Sequence, residues 1–276
     1  MNHMPHFPAE RKRKMEQSGK LVVAGVSKTF RRDEKEIVAL REVNFSVKEG
    51  RFISMIGPSG CGKSTLFNII AGLLCPTTGQ VLADGQDIVA RPGTVGYMLQ
   101  KDMLLPWRTI LDNIILGMEI RGVRRAESVK RALPLMAQYG LKGFETQYPT
   151  ALSGGMRQRA ALLRTLLYDR DILLLDEPFG ALDAQTRLHM QNWLLELWRD
   201  FQKTVLFVTH DIDEAIYLSD EIYVFSPRPG HIRAKIEVPI PRPRKPGDMT
   251  QAVFTELKHR LLDLLFSEAP IVGAAG

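Results

Sequence analysis

The sequence predicts an α/β fold, with a mainly parallel sheet, an antiparallel β subdomain and an inserted helical subdomain. Three observations predict it. Phe52-Ile53-Ser54-Met55-Ile56 is an apolar run that leads directly into the glycine-rich Gly57–Thr65, and Thr65–Leu74 then reads as a helix. Ile172–Leu175 and Thr204–Thr209 are short apolar runs, the pattern of parallel strands covered on both faces. From about Met103 to Arg164 the period changes: Leu111, Ile114, Ile115 and Met118 recur at helical spacing, as do Val129, Leu133 and Met136.

The remaining elements follow in order. Residues 1–20 are polar and basic and are expected to be disordered. Leu21–Val26 reads as a strand, Arg31–Glu36 as a charged loop, and Ile37–Val47 as antiparallel strands flanking a turn. Residues 77–98 carry short strands punctuated by glycine, such as Gly79–Gly85. Asp211-x-x-Glu214 has the form of a capping box opening a helix. Val253, Leu257, Leu261, Leu264 and Leu265 line one face of a final helix, which either packs on its own domain or meets a second copy. The expected organisation is a single domain over 21–240, with helices inserted at about 101–164, and an extension over 241–276.

Bulk properties bound the function. The 276 residues carry 37 Lys+Arg against 31 Asp+Glu, a formal net charge of +6. Such an excess permits contact with nucleic acid or an anionic membrane without requiring either. Arg11–Lys14 and the segment Pro241–Pro246, with Arg242, Arg244 and Lys245, supply much of it and read as solvated ends. The two cysteines, Cys61 and Cys75, show no metal spacing and suit a reducing cytoplasm without a disulfide. The charged N-terminus lacks the apolar core of a signal peptide, and no run approaches the ~20 apolar residues of a membrane span. These features predict a soluble cytoplasmic chain.

The chemistry concentrates in a few motifs. Gly57-Pro58-Ser59-Gly60-Cys61-Gly62-Lys63-Ser64-Thr65 matches G-x-x-x-x-G-K-[ST] between a strand and a helix. Its glycines let backbone N–H groups converge on one anion, and the following helix adds the positive end of its dipole. Lys63 is expected to reach the β- and γ-phosphates, Ser64 to bind Mg²⁺, and Thr65 to donate to the α-phosphate. Asp176 ends an apolar strand, where a carboxylate can hold the magnesium shell, and Glu177 beside it can polarise an attacking water. His210 ends the Thr204–Thr209 strand, at the position where sheet ligands bind. His3, His6, His189, His231 and His259 have no such placement.

Together with Leu152-Ser153-Gly154-Gly155-Met156-Arg157-Gln158-Arg159, these motifs resemble the ATP-binding cassette (ABC) ATPases from about Leu21 to Phe266, a family with a P-loop nucleotidase core. The resemblance makes 152–159 the signature motif, with Met156 where many members carry Gln. It makes Gln100 the Q-loop glutamine and a magnesium contact, Ala181-Leu182-Asp183 the D-loop, and His210 the switch histidine. Phe30 matches the aromatic that stacks on adenine, and fits a core aromatic as well. The implied ligands are ATP and Mg²⁺. The implied assembly is a head-to-tail pair, with each ATP between one copy's phosphate loop and the other's Ser153, Gly154 and Gly155.

A single cassette without a span resembles the separate ATPase subunit of a bacterial transporter. Leu104-Leu105-Pro106-Trp107-Arg108 and Ser226-Pro227-Arg228-Pro229-Gly230-His231-Ile232 resemble the nitrate, sulfonate and taurine importer group, which includes carriers of pyrimidine vitamin precursors. The first segment would meet the permease or pack within the helical lobe. The second would form a hairpin beyond the active site or a Pro/Gly turn with a solvated basic rim. The implied partners are an integral membrane permease, a second and by symmetry identical ATPase subunit and, indirectly, a solute-binding protein. The implied location is peripheral, on the cytoplasmic face of the inner membrane. An exporter's ATPase and a soluble ATPase acting on nucleic acid are the alternatives, and no nucleic acid is expected as partner.

Overall fold

The computed structural model describes residues 19–32, 35–180 and 182–266. The expected disorder of 1–18, the basic run Arg11–Lys14, His3, His6 and Ala181 lie outside the described residues.

Two sheets form the frame. One is four-stranded, in the order β2-β1-β4-β5, from β1 (Leu21–Arg32), β2 (Lys35–Val47), β4 (Thr78–Ala83) and β5 (Gln86–Asp87), all antiparallel. The other is six-stranded, in the order β10-β9-β3-β8-β7-β6. It comprises β3 (Phe52–Ile56), β6 (Gly96–Met98), β7 (Ile172–Asp176), β8 (Thr204–Val208), β9 (Glu221–Phe225) and β10 (Ile232–Glu237). Strands β9, β3, β8, β7 and β6 run parallel, and β10 returns antiparallel to β9.

The apolar runs are fully buried because the sheet is covered twice. Every residue of β3, β7 and β8 is buried. Their side chains alternate between two cores, as the two-residue period of a strand requires. Ile53, Met55, Ile172, Leu174, Leu206 and Val208 face the antiparallel sheet and helix α1 (Lys63–Ile70). Phe52, Ile56, Leu173, Leu175, Val205 and Phe207 face the other helices. Those are α2 (Ile110–Ile120), α3 (Arg125–Gln138), α4 (Gly154–Leu167), α5 (Ala184–Phe201), α6 (Ile212–Leu218) and α7 (Ala252–Phe266). The α/β class, the antiparallel subdomain and the inserted helices are as the sequence predicts.

Several local expectations are corrected. Ile37–Val47 is one strand, not two around a turn: Glu42 takes φ 44°, and the pairing with β1 slips between Val43 and Leu40, so a bulge replaces the turn. Of the expected loop Arg31–Glu36, residues 31–32 end β1 and residues 35–36 begin β2, with Arg31 paired to Glu36 at 2.8 Å, while residues 33 and 34 lie outside the described residues. The Lys20 side chain is largely covered, 3.0 Å from both Asp84 and Asp171. Burial works against its charge, but these two carboxylates outweigh it and raise its pKa.

Arg242 and Arg244 are not a solvated rim. Arg244 is buried and donates to the carbonyls of Ile216, Tyr217, Ser219 and Ile240 at 2.7–3.1 Å. It thereby satisfies the orphan carbonyls that end α6. Burial brings its pKa down to about 10. Arg242 lies over the Trp198 ring at 4.2 Å and bonds Asp220 at 2.8 Å. Asp211 caps α6 by accepting from the Glu214 N–H at 3.1 Å. The reciprocal half of the capping box is missing, because the Asp211 N–H goes to Thr209 Oγ1 at 3.0 Å and Glu214 turns inward to Thr209 and Gln191. Helix α7 packs on its own domain through Phe254, Leu257 and Leu261. Cys61 and Cys75 are both free.

Candidate nucleotide site

Parallel strands deliver their carboxyl ends to one edge of the sheet, and in an open α/β sheet ligands bind at that edge. β3 leads into Gly57–Thr65, β8 into Thr209 and His210, β7 ends in Asp176 and continues to Glu177, and β6 is followed by Gln100. Because β3, β8, β7 and β6 are consecutive neighbours, residues far apart in the chain share one edge.

The phosphate loop turns through Gly60 and Gly62, at φ 73° and 109°, a region L-residues avoid. Gly62 also has no space for a side chain: a Cβ there would lie 2.7 Å from Leu40 and 2.9 Å from the Ala39 carbonyl oxygen. Lys63 is buried and folds back onto the loop, donating to the carbonyls of Gly57 at 2.8 Å and Pro58 at 3.1 Å. Asp176 is buried beside this loop. Burial raises its pKa, while the Ser64 hydroxyl, bonded to it, works the other way. A carboxylate held against its own desolvation is poised for a cation.

Glu177 stands at the centre. Its N–H donates to Val208 at 2.9 Å, which extends the β7–β8 ladder one residue past the strand. Its φ is 45°, the left-handed region that costs a non-glycine residue about 1–3 kcal/mol and is found at functional sites. That turn aims its carboxylate at two exposed side chains: Gln100 donates to Oε2 at 3.0 Å, and His210 Nδ1 lies 3.6 Å from the same oxygen. Glu177, Gln100 and His210 therefore meet, and Lys63, Ser64 and Asp176 meet beside them.

The signature residues do not join this cluster. Ser153 caps α4 by accepting from the Met156 N–H at 3.4 Å, and Gly154 is exposed. Asp183 caps α5 by accepting from the Thr186 N–H at 3.0 Å; the Thr186 hydroxyl, and then this N–H, hold its carboxyl below the usual range. Both spend their side-chain oxygens on their own helices. Phe30 is 39% exposed on β1, with Lys28 Nζ 5.2 Å from its ring centroid. It is thus a displayed aromatic rather than a core one.

Two residues that sequence reasoning missed touch this site. The Tyr97 hydroxyl is 3.5 Å from Asp176 Oδ2, and burial together with that carboxylate raises its pKa. Its place in a short apolar strand gave no signal of a polar contact. Arg228 donates to the Gly60 carbonyl, so Ser226–Ile232 lies against the phosphate loop rather than beyond the site.

Comparison with known proteins agrees with this geometry. A family model described as ABC transporter matches residues 40–180. A curated relative, an uncharacterized ABC transporter ATP-binding protein of Methanocaldococcus jannaschii, is 45% identical over 90% of this chain and 92% of its own. The chain belongs to the ABC transporter ATP-binding family. This cassette is also 43% identical to the aliphatic sulfonates import ATP-binding protein SsuB of Bacillus cereus, over 87% of this chain and 93% of SsuB. It is 41% identical to the taurine import ATP-binding protein TauB of Rhizobium johnstonii, over 87% and 94%. Among solved structures, a dimeric bacterial ABC transporter cassette superposes with a TM-score of 0.69 at 34% identity, over 79% of this chain and 98% of that one. A post-hydrolysis state of such a cassette, bound to ADP and Pi, gives a TM-score of 0.69 at 33% identity. Like the rest of its family, this cassette binds ATP and is an ATPase.

Proposed function

We propose that this cassette is the ATP-hydrolysing subunit of a bacterial importer for a small solute. The solute is nitrate-, sulfonate- or taurine-like, or a pyrimidine vitamin precursor. The observation that carries the hydrolytic part is the convergence of Gln100 and His210 on Glu177 beside the phosphate loop. The relatives named for sulfonate and taurine import support the solute class.

In the proposed reaction, the N–H groups of Gly57–Thr65 cradle the α- and β-phosphates of ATP, and Lys63 moves from the Gly57 and Pro58 carbonyls to the β- and γ-phosphates. Among the described residues no three His, Cys, Asp or Glu gather as an ion site of their own. Ser64, Asp176 and Gln100 would hold Mg²⁺ instead, since Asp176 is a desolvated carboxylate already bonded to Ser64. Bound there, the ion would neutralise charge developing on the phosphates. Glu177 accepts a proton as the oxygen of water attacks the γ-phosphorus and the bond to ADP breaks. Gln100 orients the water, and His210 donates to the γ-phosphate.

Coupling would run through the helical lobe. At its junction with the sheet lies a groove of about 260 Å³, lined by Leu73, Val95, Tyr97, Leu116, Ile120 and Tyr168 among others. Leu73 and Ile120 in its lining are exposed, as are Met103 and Trp107 in the segment before α2. Leu104 packs into the lobe, and Asn113 pins the segment by bonding Leu105, Arg108 and Thr109, so Trp107 is displayed on rigid backbone. This arrangement fits an apolar helix of a permease. Tyr97 both lines the groove and meets Asp176, so groove and nucleotide site share a residue. No helix among the described residues is long and apolar enough to cross a membrane, so the span would come from the permease. The cassette would then sit on its cytoplasmic face as a homodimer closed by ATP, with a solute-binding protein delivering the solute from the other side.

The test is to tag this chain, solubilise membranes gently and identify what co-purifies. A polytopic permease recovered with two copies of the chain supports the proposal, and the permease's identity names the solute. Recovery of ribosomal or DNA-bound material without a membrane protein would sink it. The internal use of Arg242 and Arg244 already removes one of the two basic stretches that motivated a nucleic-acid reading.

A further inference from the structure

The carboxyl end of β9 belongs to the same sheet edge as the phosphate loop, because β9 is the neighbour of β3 on the side away from β8. Ser226–Gly230, the turn after β9, is therefore carried onto the back of the phosphate loop. The fit is close. The Gly230 N–H donates to the Ala39 carbonyl at 2.9 Å, and its own carbonyl accepts from the Arg41 N–H at 2.9 Å. A Cβ at Gly230 would lie 1.9 Å from the Cys61 carbonyl oxygen, and one at Gly57 would lie 2.8 Å from Phe225 Cβ. Inside the turn, Ser226 Oγ holds His231 through its N–H at 3.1 Å and its Nδ1 at 2.8 Å. The turn is thus a rigid platform, and its one long charged side chain points at the loop. Arg228 donates from Nε at 3.1 Å and from a terminal nitrogen at 3.0 Å, both to the Gly60 carbonyl. Among the described residues no carboxylate pairs with this guanidinium.

We propose that Arg228 is a positioning residue for nucleotide phosphate, acting through the Gly60–Cys61 peptide. The Gly60 carbonyl and the Cys61 N–H belong to one amide. Two N–H groups of a cation on the carbonyl draw electron density toward its oxygen and leave the N–H at the other end more positive, the cooperative strengthening expected of chained hydrogen bonds. The Cys61 N–H, which donates to the Pro58 carbonyl at 3.3 Å, is one of the loop donors that would turn to the phosphates. The same contact fixes the orientation of this peptide, which glycine on one side would otherwise leave free to flip. It also places an uncompensated positive charge behind an anion site. Arg suits this role better than Lys, because two N–H groups of its planar fork reach a single oxygen.

This inference rests on the phosphate-loop reading above, and the experiment separates the two. The protein is the full chain, and the probe is a fluorescent ADP analogue with Mg²⁺, measured by equilibrium titration and followed by steady-state ATP hydrolysis. Arg228→Ala is expected to weaken the analogue and raise KM for ATP by roughly 5- to 20-fold, the scale of a partly exposed charge-assisted hydrogen bond. The change in kcat should be much smaller than the change in KM. Arg228→Lys should recover part of the loss, and the penalty should shrink at high salt. The thermal midpoint of the ligand-free variant should stay within about 2 °C of the parent, as expected for a surface substitution. If the parent binds the analogue and Arg228→Ala binds it equally well, the role of Arg228 is overturned while the phosphate loop stands. If Arg228→Ala instead loses kcat and KM together with its thermal midpoint, and Lys restores nothing, the residue is structural and the proposal fails. If the parent itself does not bind the analogue, the phosphate-loop reading falls first.

Discussion

The phosphate-loop end of the molecule and the Ser153 end differ in completeness. At the first, side chains from four strand ends already touch: Lys63 lies on its loop, Ser64 on Asp176, and Gln100 and His210 close on Glu177. At the second, among the described residues the Ser153 and Asp183 side chains bond only to the helices they cap, and Gly154 is open to solvent. The first is assembled by the sheet. The second presents an exposed helix N-terminus, an anion-binding surface that its own chain does not fill. On the proposed reading, a second copy of the same chain would finish a site split this way, its signature helix facing the first copy's loop.

Glu177→Gln is the strongest way to break this comparison. It keeps the shape and the Gln100 neighbour but removes the proposed base, so turnover should fall by about 10²–10⁴-fold while ATP stays bound and a dimer accumulates. Hydrolysis near the parent rate would mean that Glu177 is not the base. Ser153→Arg acts on the other half. It should cut hydrolysis by roughly 10²-fold and leave the monomer's affinity for a fluorescent nucleotide unchanged. An equal loss of affinity would place Ser153 at its own chain's nucleotide.

A third substitution sharpens the contrast by touching neither half. Arg244→Met would leave the carbonyls of Ile216, Tyr217 and Ser219 without their donor, at a cost of about 2–4 kcal/mol in denaturant unfolding. Nucleotide affinity of the folded fraction should not change. The smallest expected effect has the opposite sign. Asp176 is buried with a raised pKa, so its charge opposes folding above that pKa. Asp176→Asn should raise the thermal midpoint of the ligand-free chain by about 2–4 °C at pH 7, even as it removes hydrolysis. That advantage should shrink as pH falls through the raised folded value toward the unfolded carboxylate value of about 3.9, where the parent is protonated too. A destabilised Asn variant at pH 7 would mean that Ser64, Lys63 and Tyr97 together hold the Asp176 carboxylate more strongly than burial opposes it.

What the sequence made legible was local. Phe52–Ile56 and the loop after it announce strand, turn and helix, because apolar runs and glycine act on their near neighbours. The helical stretch from Leu111 to Met136 is legible for the same reason. Strand order was not, since β9 and β3 pair across more than 160 residues of chain. That is why Ser226–Ile232 read as remote and Arg228 went unnoticed. Arg242 and Arg244 misled for a related reason: a Pro-Arg-Pro-Arg run reads as solvated until the carbonyls of α6 and the Trp198 ring are in place around it. At Glu214 a correct cap motif concealed a side chain that turns inward. Gln100, Glu177 and His210 had each been singled out, but only the sheet shows that they meet on one carboxylate.

The most direct measurement of the split site is the specific rate of ATP hydrolysis against concentration of the full chain, with light scattering on the same samples. A site shared between two copies predicts a rate per chain that rises with the dimer fraction and levels off when dimerisation is complete. A rate per chain that stays constant while scattering shows only monomer would mean that one copy hydrolyses ATP unaided, and would contradict it.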